Sequence, residues 1–382
     1  MNYETLGLEE NPFRLTPPLD PKEIVWAGMS EVKEKLEKRI KLSMRTRPSR
    51  IVINWGSYGS GKTHASIYFS KTNRLDDIST ELNVQKAKSI KITLPRTSND
   101  IVQEFLRSFL GQYSLEEIYQ DFQEVRNGID DNELKKIIKT YSNDATIEKL
   151  FNKLVFEMEE TKALFDNGLD TDVFSAMKNY IFGDSTKATL KILDMPLGLK
   201  NDEQIANFLG TIINCITYNK IYYSSFIIWL DEFEDIDTIK KSLADRFTTF
   251  LRQFIDKTPN NLMIFLNFTQ KAFMDIEDLS IYLGEALSSR AKVKIDFENP
   301  TINEAVEYVK ELSNMYIIEN KNLPFENNEL IKYILEHIGN ITTRKINETF
   351  SIVLEMALIE EKEKIDKEFV DSIQEEIIAW EE

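Results

Sequence analysis

The stretch NWGSYGSGKTHAS, residues 54–66, decides how the rest of the chain is read. Before it stands RIVINW (50–55), β-branched and apolar as in a buried parallel strand; after it, THASIYFSKT (63–72) has the look of a helix. A glycine-rich turn thus lies between strand and helix. Gly56, Gly61, Lys62 and Thr63 fit the pattern G-x-x-x-x-G-K-[ST], with Gly59 a further small residue inside it. Glycines allow positive φ and close backbone approach, so successive N–H groups can form a nest for oxyanions above the positive end of the next helix. The run Gly56, Ser57, Tyr58, Gly59, Ser60, Gly61, Lys62, Thr63 and His64 is therefore the expected phosphate cradle. Within it Lys62 is expected to span the β- and γ-phosphates of a nucleotide, and the Thr63 hydroxyl to ligate Mg²⁺.

A phosphate loop alone leaves kinases, GTPases, helicases, transporters and switches open. Residues 225–235, SFIIWLDEFED, narrow the field: a hydrophobic strand ends in Asp231 and Glu232. Two adjacent carboxylates closing a buried strand are costly unless they serve a metal or a proton, and in an open α/β sheet that strand end is where ligands bind. Asp231 is expected to hold Mg²⁺ through its water shell, and Glu232 to polarise an attacking water as general base. The acids further along EFEDID read as surface residues.

With GSYGSGKT and FIIWLDEFE in place, the chain resembles the AAA+ P-loop ATPases of the origin-recognition, initiator-like type. The resemblance implies a three-layer α/β core with a parallel sheet, a C-terminal helical lid, and ATP with Mg²⁺ bound between the two. It also supplies roles for three further positions. NNLMIFLNFTQ (260–270) matches the strand whose polar side chain orients the hydrolytic water, here Asn267, with Thr269 the alternative. EALSSRAKVKIDF (285–297) resembles the segment that presents an arginine finger to a neighbouring subunit, here Arg290, with Arg246 and Arg252 as competitors. GNITTRKINETFSIVLEMAL (339–358) resembles the lid helix whose arginine reaches the γ-phosphate, here Arg344. Upstream, NPFRLTPPLDPKEIVWAGMSEVKEKL (11–36) is similar to the segment that covers the adenine, although Gly28-Met29 stands where the family usually has Gly-Arg.

About 130 residues separate the strand SIKITLP (89–95) from the acidic strand, too many for an unstructured loop, and their spacing is helical. The expected layout is an N-terminal segment and basic helix (1–50), an ATPase core (51–298) with a helical insertion at about 113–215, and a helical lid (299–382). Part of the insertion (179–214) resembles ATP-binding proteins of bacteriophage-exclusion defence systems. No winged-helix stretch follows the lid, so a dedicated DNA-reading domain is not expected.

The composition bounds partners and location. A net charge of −17 argues against a surface that grips nucleic acid everywhere, and leaves a local contact through KEKLEKRIKLSMRTRPSR (33–50) or a ring pore. One cysteine, Cys215, and two separated histidines, His64 and His337, exclude an internal disulfide and a zinc constellation. No apolar run approaches the roughly 18 to 20 residues of a membrane span, and the start lacks signal-peptide order, so a cytoplasmic protein is expected. The resulting expectation is an ATP-hydrolysing switch or loader in DNA transactions such as antiviral defence, transposition or replication, working as a homo-oligomer or partner complex. The alternatives are a regulatory or scaffold ATPase that controls a protein effector without touching nucleic acid, and a small-molecule kinase.

Overall fold

The computed structural model describes residues 3–18, 20–94, 99–158, 171–195, 199, 201–270, 283–284 and 287–377. Five strands, β1 (Arg50–Gly56), β2 (Ala87–Thr93), β3 (Ser225–Asp231), β4 (Leu262–Thr269) and β5 (Val293–Phe297), form one sheet in the order β2-β3-β4-β1-β5. Every pairing is parallel, with Gly56 opposite both Thr269 and Phe297, and Thr93 opposite Asp231. The inner strands β1, β3 and β4 are buried on both faces because both are covered, whereas the edge strands β2 and β5 also carry Lys88, Lys91, Lys294 and Asp296.

Successive side chains go to opposite layers. Ile53, Trp55, Ile228 and Leu230 join the larger core, whereas Val52, Ile227, Trp229 and Phe265 join the other. The second face is covered by α1 (Ser30–Arg45), α2 (Lys62–Lys71) and α3 (Arg74–Leu82), through Leu36, Ile40, Phe69 and Ile78. The first face carries α4 (Ile101–Gln112) and the expected helical insertion. Its described helices are α5 (Leu115–Gly128), α6 (Asp131–Ser142), α7 (Ala145–Asn152), α8 (Thr171–Ile181), α9 (Lys187–Leu193) and α10 (Asp202–Ile216). Helix α10 is buried all round from Ile205 to Ile216 and packs against α11 (Lys241–Lys257), so the insertion shares the sheet's core. Asp121 of α5, itself buried, accepts hydrogen bonds from Tyr113, Tyr222 and Tyr223 and ties that helix to the chain entering β3.

A separate core holds α12 (Ile302–Asn314), α13 (Asn328–Glu336), α14 (Thr343–Ile359) and α15 (Lys367–Ser372). Leu6, Leu8, Phe13 and Ala27 belong to it. The described residues before β1 therefore divide between two cores: Leu6, Leu8, Phe13 and Ala27 pack with the lid helices, while Trp26, Met29 and α1 pack on the sheet side. No helix among the described residues is long and apolar enough to cross a membrane.

Candidate active site

All strands being parallel, the ends of β1, β3 and β4 lie side by side at one edge of the sheet, and α2 starts there. The turn between β1 and α2 needs its glycines. Gly59 (φ 79°) and Gly61 (φ 92°) adopt left-handed backbone, and a Cβ on Gly59 would lie 2.9 Å from Cβ of Arg344. At Gly56 a Cβ would come within 2.4 Å of the Phe297 carbonyl oxygen.

Lys62 is 7% exposed and curls back into the turn. Its Nζ donates to the carbonyls of Gly56 (2.9 Å) and Ser57 (2.8 Å) and to Ser60 Oγ (3.2 Å). Burial pushes this ammonium down to about 8, against the opposing pull of Glu234 and Asp231. The Ser57 hydroxyl turns away to Asn299, 2.7 Å distant. His64 sits under the N-terminal segment: its Nε2 lies 2.8 Å from the Val25 carbonyl, an acceptor, so that nitrogen carries the proton, while burial favours the neutral ring.

Asp231, 3% exposed, is the hub of the site. Its Oδ1 accepts from the Thr63 hydroxyl (3.2 Å) and from Asn267 Nδ2 (2.9 Å). The same Asn267 amide reaches the Lys62 carbonyl (3.2 Å), and its Oδ1 accepts from Asn54 Nδ2 (2.8 Å). Asn267 thus fixes the Asp231 carboxylate and the first turn of α2 together. Thr269 lines the cavity, and its backbone N–H donates to Glu234 Oε2 at 3.1 Å. Glu232 follows β3 in the left-handed region (φ 54°, ψ 42°), an uncommon state for a residue with a side chain, and borders the same cavity.

The lid meets the turn directly. Thr343 Oγ1 donates to the Gly59 carbonyl at 2.5 Å and the Arg344 backbone N–H to the same oxygen at 3.3 Å. The Arg344 guanidinium lies 5.1 Å from the ring centroid of Tyr58, donates to its hydroxyl at 2.5 Å, and pairs with Glu348 at 2.8 Å. Of the three arginines considered as fingers, none lines the cavity. Arg246 is held by Asp202 (2.6 Å) and Asp100 (3.2 Å), and Arg252 lies 3.8 Å from Asp256. Arg290 donates to Asp256 at 2.6 Å, three residues before β5 begins and hence at the sheet edge opposite the phosphate turn.

A cavity of about 530 Å³ runs from this edge to the lid, within the range of small-ligand sites. Its lining divides into polar residues, among them Lys62, Thr63, Asp231 and Arg344, and apolar ones, among them Leu15, Val25, Ala27, Met29 and Leu312. A nucleoside triphosphate fits that division. Mg²⁺ also fits the donors present, since a hydroxyl and a carboxylate oxygen 3.2 Å apart are hard ligands of the kind it takes. Thr63 and Asp231 are the residues that would hold it.

Neither a protein-family model nor a curated protein matches the chain. Among solved structures, the Aeropyrum pernix ORC2 protein, in ADPNP–ADP complexes, is similar over 97% of this chain and 72% of its own, with TM-score 0.54 and 13% identity. The fold is that of an AAA+ P-loop ATPase. The A. pernix ORC1 protein in complex with DNA (12% identity, 96% and 69% of the two chains, TM-score 0.48) and a Walker-type ATPase of Pyrococcus abyssi (12%, 96% and 77%, 0.48) are also similar to it. At this identity the likeness is one of fold, and a likeness to defence-system proteins is not shown.

Two residues of this site do not stand out in the sequence. Glu234, read as a surface acid, lines the cavity and bonds the end of β4. Lys91 of β2 places its Nζ 3.0 Å from Asp231 Oδ2. The first follows from a tight turn after β3, and the second from the pairing of β2 with β3; neither is a property of a motif.

Proposed function

We propose that the chain binds ATP with Mg²⁺ and hydrolyses it, and that the nucleotide state drives a switch or loader in DNA transactions of the replication-initiation kind. The observation that carries this reading is the convergence of Lys62, Thr63, Asp231 and Glu232 on one cavity closed by the Arg344 end of α14. The nucleotide complexes of the ORC2 protein, which shares the fold, support it.

The chemistry follows from the side chains. Lys62 exchanges the carbonyls it now holds for phosphate oxygens, and Arg344, beside the turn, adds a second cation for the terminal phosphate. Mg²⁺ bound at Thr63 and Asp231 supplies charge against the phosphate oxygens. Asn267 keeps Asp231 oriented. Glu232 takes the proton of the attacking water, which adds to the γ-phosphorus in line with the departing ADP oxygen. Service to a neighbouring copy is the role proposed for Arg290, which lies at the far end of the sheet and outside its own chain's cavity, so a homo-oligomer or partner complex is the proposed working form.

Glu232→Gln tests the chemical step. ATP binding should persist while hydrolysis falls about 100-fold or more, the loss expected for a general base; ordinary turnover would remove Glu232 from that role.

The DNA part rests on where the cations of 33–50 lie. Lys38, Arg45, Arg47 and Arg50 are exposed. Lys33 instead covers the rings of Trp26 and Tyr68, Lys35 pairs with Glu31, and Lys41 pairs with Glu81, which favours the second reading, an ATPase that holds a protein effector. Duplex binding at low salt that weakens steeply as salt rises separates the two.

A further inference from the structure

By its motif, Asp231 has one expected partner, the metal. In the structure both of its carboxylate oxygens are already engaged by the chain. Oδ1 takes the Thr63 hydroxyl and the Asn267 amide, while Oδ2 takes the ammonium of Lys91 at 3.0 Å. The pair is secluded, with side chains 18% exposed for Lys91 and 5% for Asp231. Lys91 Nζ also donates to Thr93 Oγ1 at 3.2 Å.

Strand register explains the meeting. Lys91 lies opposite Trp229 and Thr93 opposite Asp231, and side chains two apart on a strand share a face. Lys91, Thr93, Trp229 and Asp231 therefore stand together on the face covered by α2, the helix that carries Thr63. A carboxylate this secluded is costly without a counter-charge. Lys91 is the cation that supplies it.

We propose that Lys91 is the resident counter-ion of Asp231, a positioning residue that holds the acidic end of β3 in order before metal arrives and that magnesium–nucleotide must contend with on loading. The metal's charge would then act on a carboxylate already shared with an ammonium, and the two cations repel. Lys91 thereby raises the magnesium concentration the site requires and makes the empty site stable in its own right. The magnesium half of this inference rests on the ATP reading above; the counter-ion half does not.

Two measurements on the full-length protein test it, neither of them turnover. The first is thermal unfolding without metal or nucleotide. Lys91→Met should lower the midpoint by several degrees, Lys91→Arg should stay near wild type, and in an Asp231→Asn background Lys91→Met should no longer matter. The second is Mg²⁺ titration of fluorescent N-methylanthraniloyl-ATP binding. Lys91→Met should reach half-saturation at a Mg²⁺ concentration about five-fold lower or less, an effect that a merely structural lysine would not produce.

An unchanged midpoint, or a half-saturation that stays put or rises in Lys91→Met, overturns the proposal. Should Lys91→Met fail to fold alone, the neutral pair Lys91→Met/Asp231→Asn is expected to fold, and its failure would equally overturn it. A wild-type protein that ignores the fluorescent nucleotide at every Mg²⁺ concentration instead breaks the ATP reading, and the unfolding series still decides whether Lys91 serves Asp231.

Discussion

Two lysines, Lys62 buried and Lys220 half-buried, sit at opposite ends of the sheet and do the same thing locally. Lys62, at the edge where β1 and β3 end, gives its ammonium to the carbonyls of Gly56 and Ser57. Lys220, just before β3 begins, gives its ammonium to the carbonyls of Ser43, Met44, Thr46 and Ser224, at 2.6–3.2 Å. Burial pushes both down to about 8. Their surroundings differ. Lys62 faces a cavity and is drawn by Glu234 and Asp231, whereas Lys220 has Arg47 as its charged neighbour and closes the C-terminus of α1, whose last carbonyls have no helical partner. A depressed lysine is therefore no sign of a ligand site by itself. The carboxylates and the cavity beside it make the distinction.

Substitution should pull the two apart. Lys62→Ala removes about two charge-assisted hydrogen bonds to phosphate, so nucleotide affinity should fall about 100-fold while the unfolding midpoint moves little. Equal affinity in wild type and variant would break the contrast. Lys220→Ala leaves the carbonyls of Ser43, Met44 and Thr46 without that donor and should cost about 1–3 kcal/mol of stability by denaturant titration, with nucleotide affinity inside about twofold of wild type. A variant as stable as wild type would show that the carbonyls find water instead.

Acidity sharpens the comparison further. Above pH of about 8 the ligand-free protein holds Lys62 neutral, and a phosphate bound there draws the proton back. Affinity should then fall by up to about tenfold per pH unit, with proton uptake on binding visible by calorimetry in buffers of different ionisation enthalpy. The slope should vanish in Lys62→Ala and survive in Lys220→Ala. Stability of the ligand-free protein runs the other way. Both lysines release protons from the folded chain before the unfolded one, so folding gains stability from about pH 8 up to the ordinary lysine range.

The same contrast shows what a sequence reveals. The phosphate turn is local: Gly56, Gly61, Lys62 and Thr63 are fixed by spacing, and the strand and helix around them by apolar pattern. Asp231 and Glu232 were legible because acids closing an apolar strand are expensive. At the end of β4 the resemblance offered Asn267, with Thr269 as the alternative; Asn267 donates to Asp231 and to the Lys62 carbonyl. Lys91 and Lys220 gave no such signal. A lysine near the end of a strand or in a turn is ordinary text, and only the pairing of β2 with β3, or the return of residues 217–225 to the end of α1, brings each to its partners. The helical insertion was readable as helix, but its sharing of the sheet's core through α10 was not, because long-range packing leaves no local pattern.

A triphosphate bound in the turn between β1 and α2 underlies all of the proposed chemistry. Isothermal titration calorimetry of the full-length folded protein with ATP and Mg²⁺ measures that directly. Saturable heat at one nucleotide per chain, weakened in Lys62→Ala, is the predicted result. A folded wild-type protein that gives no heat with ATP and Mg²⁺ would contradict it.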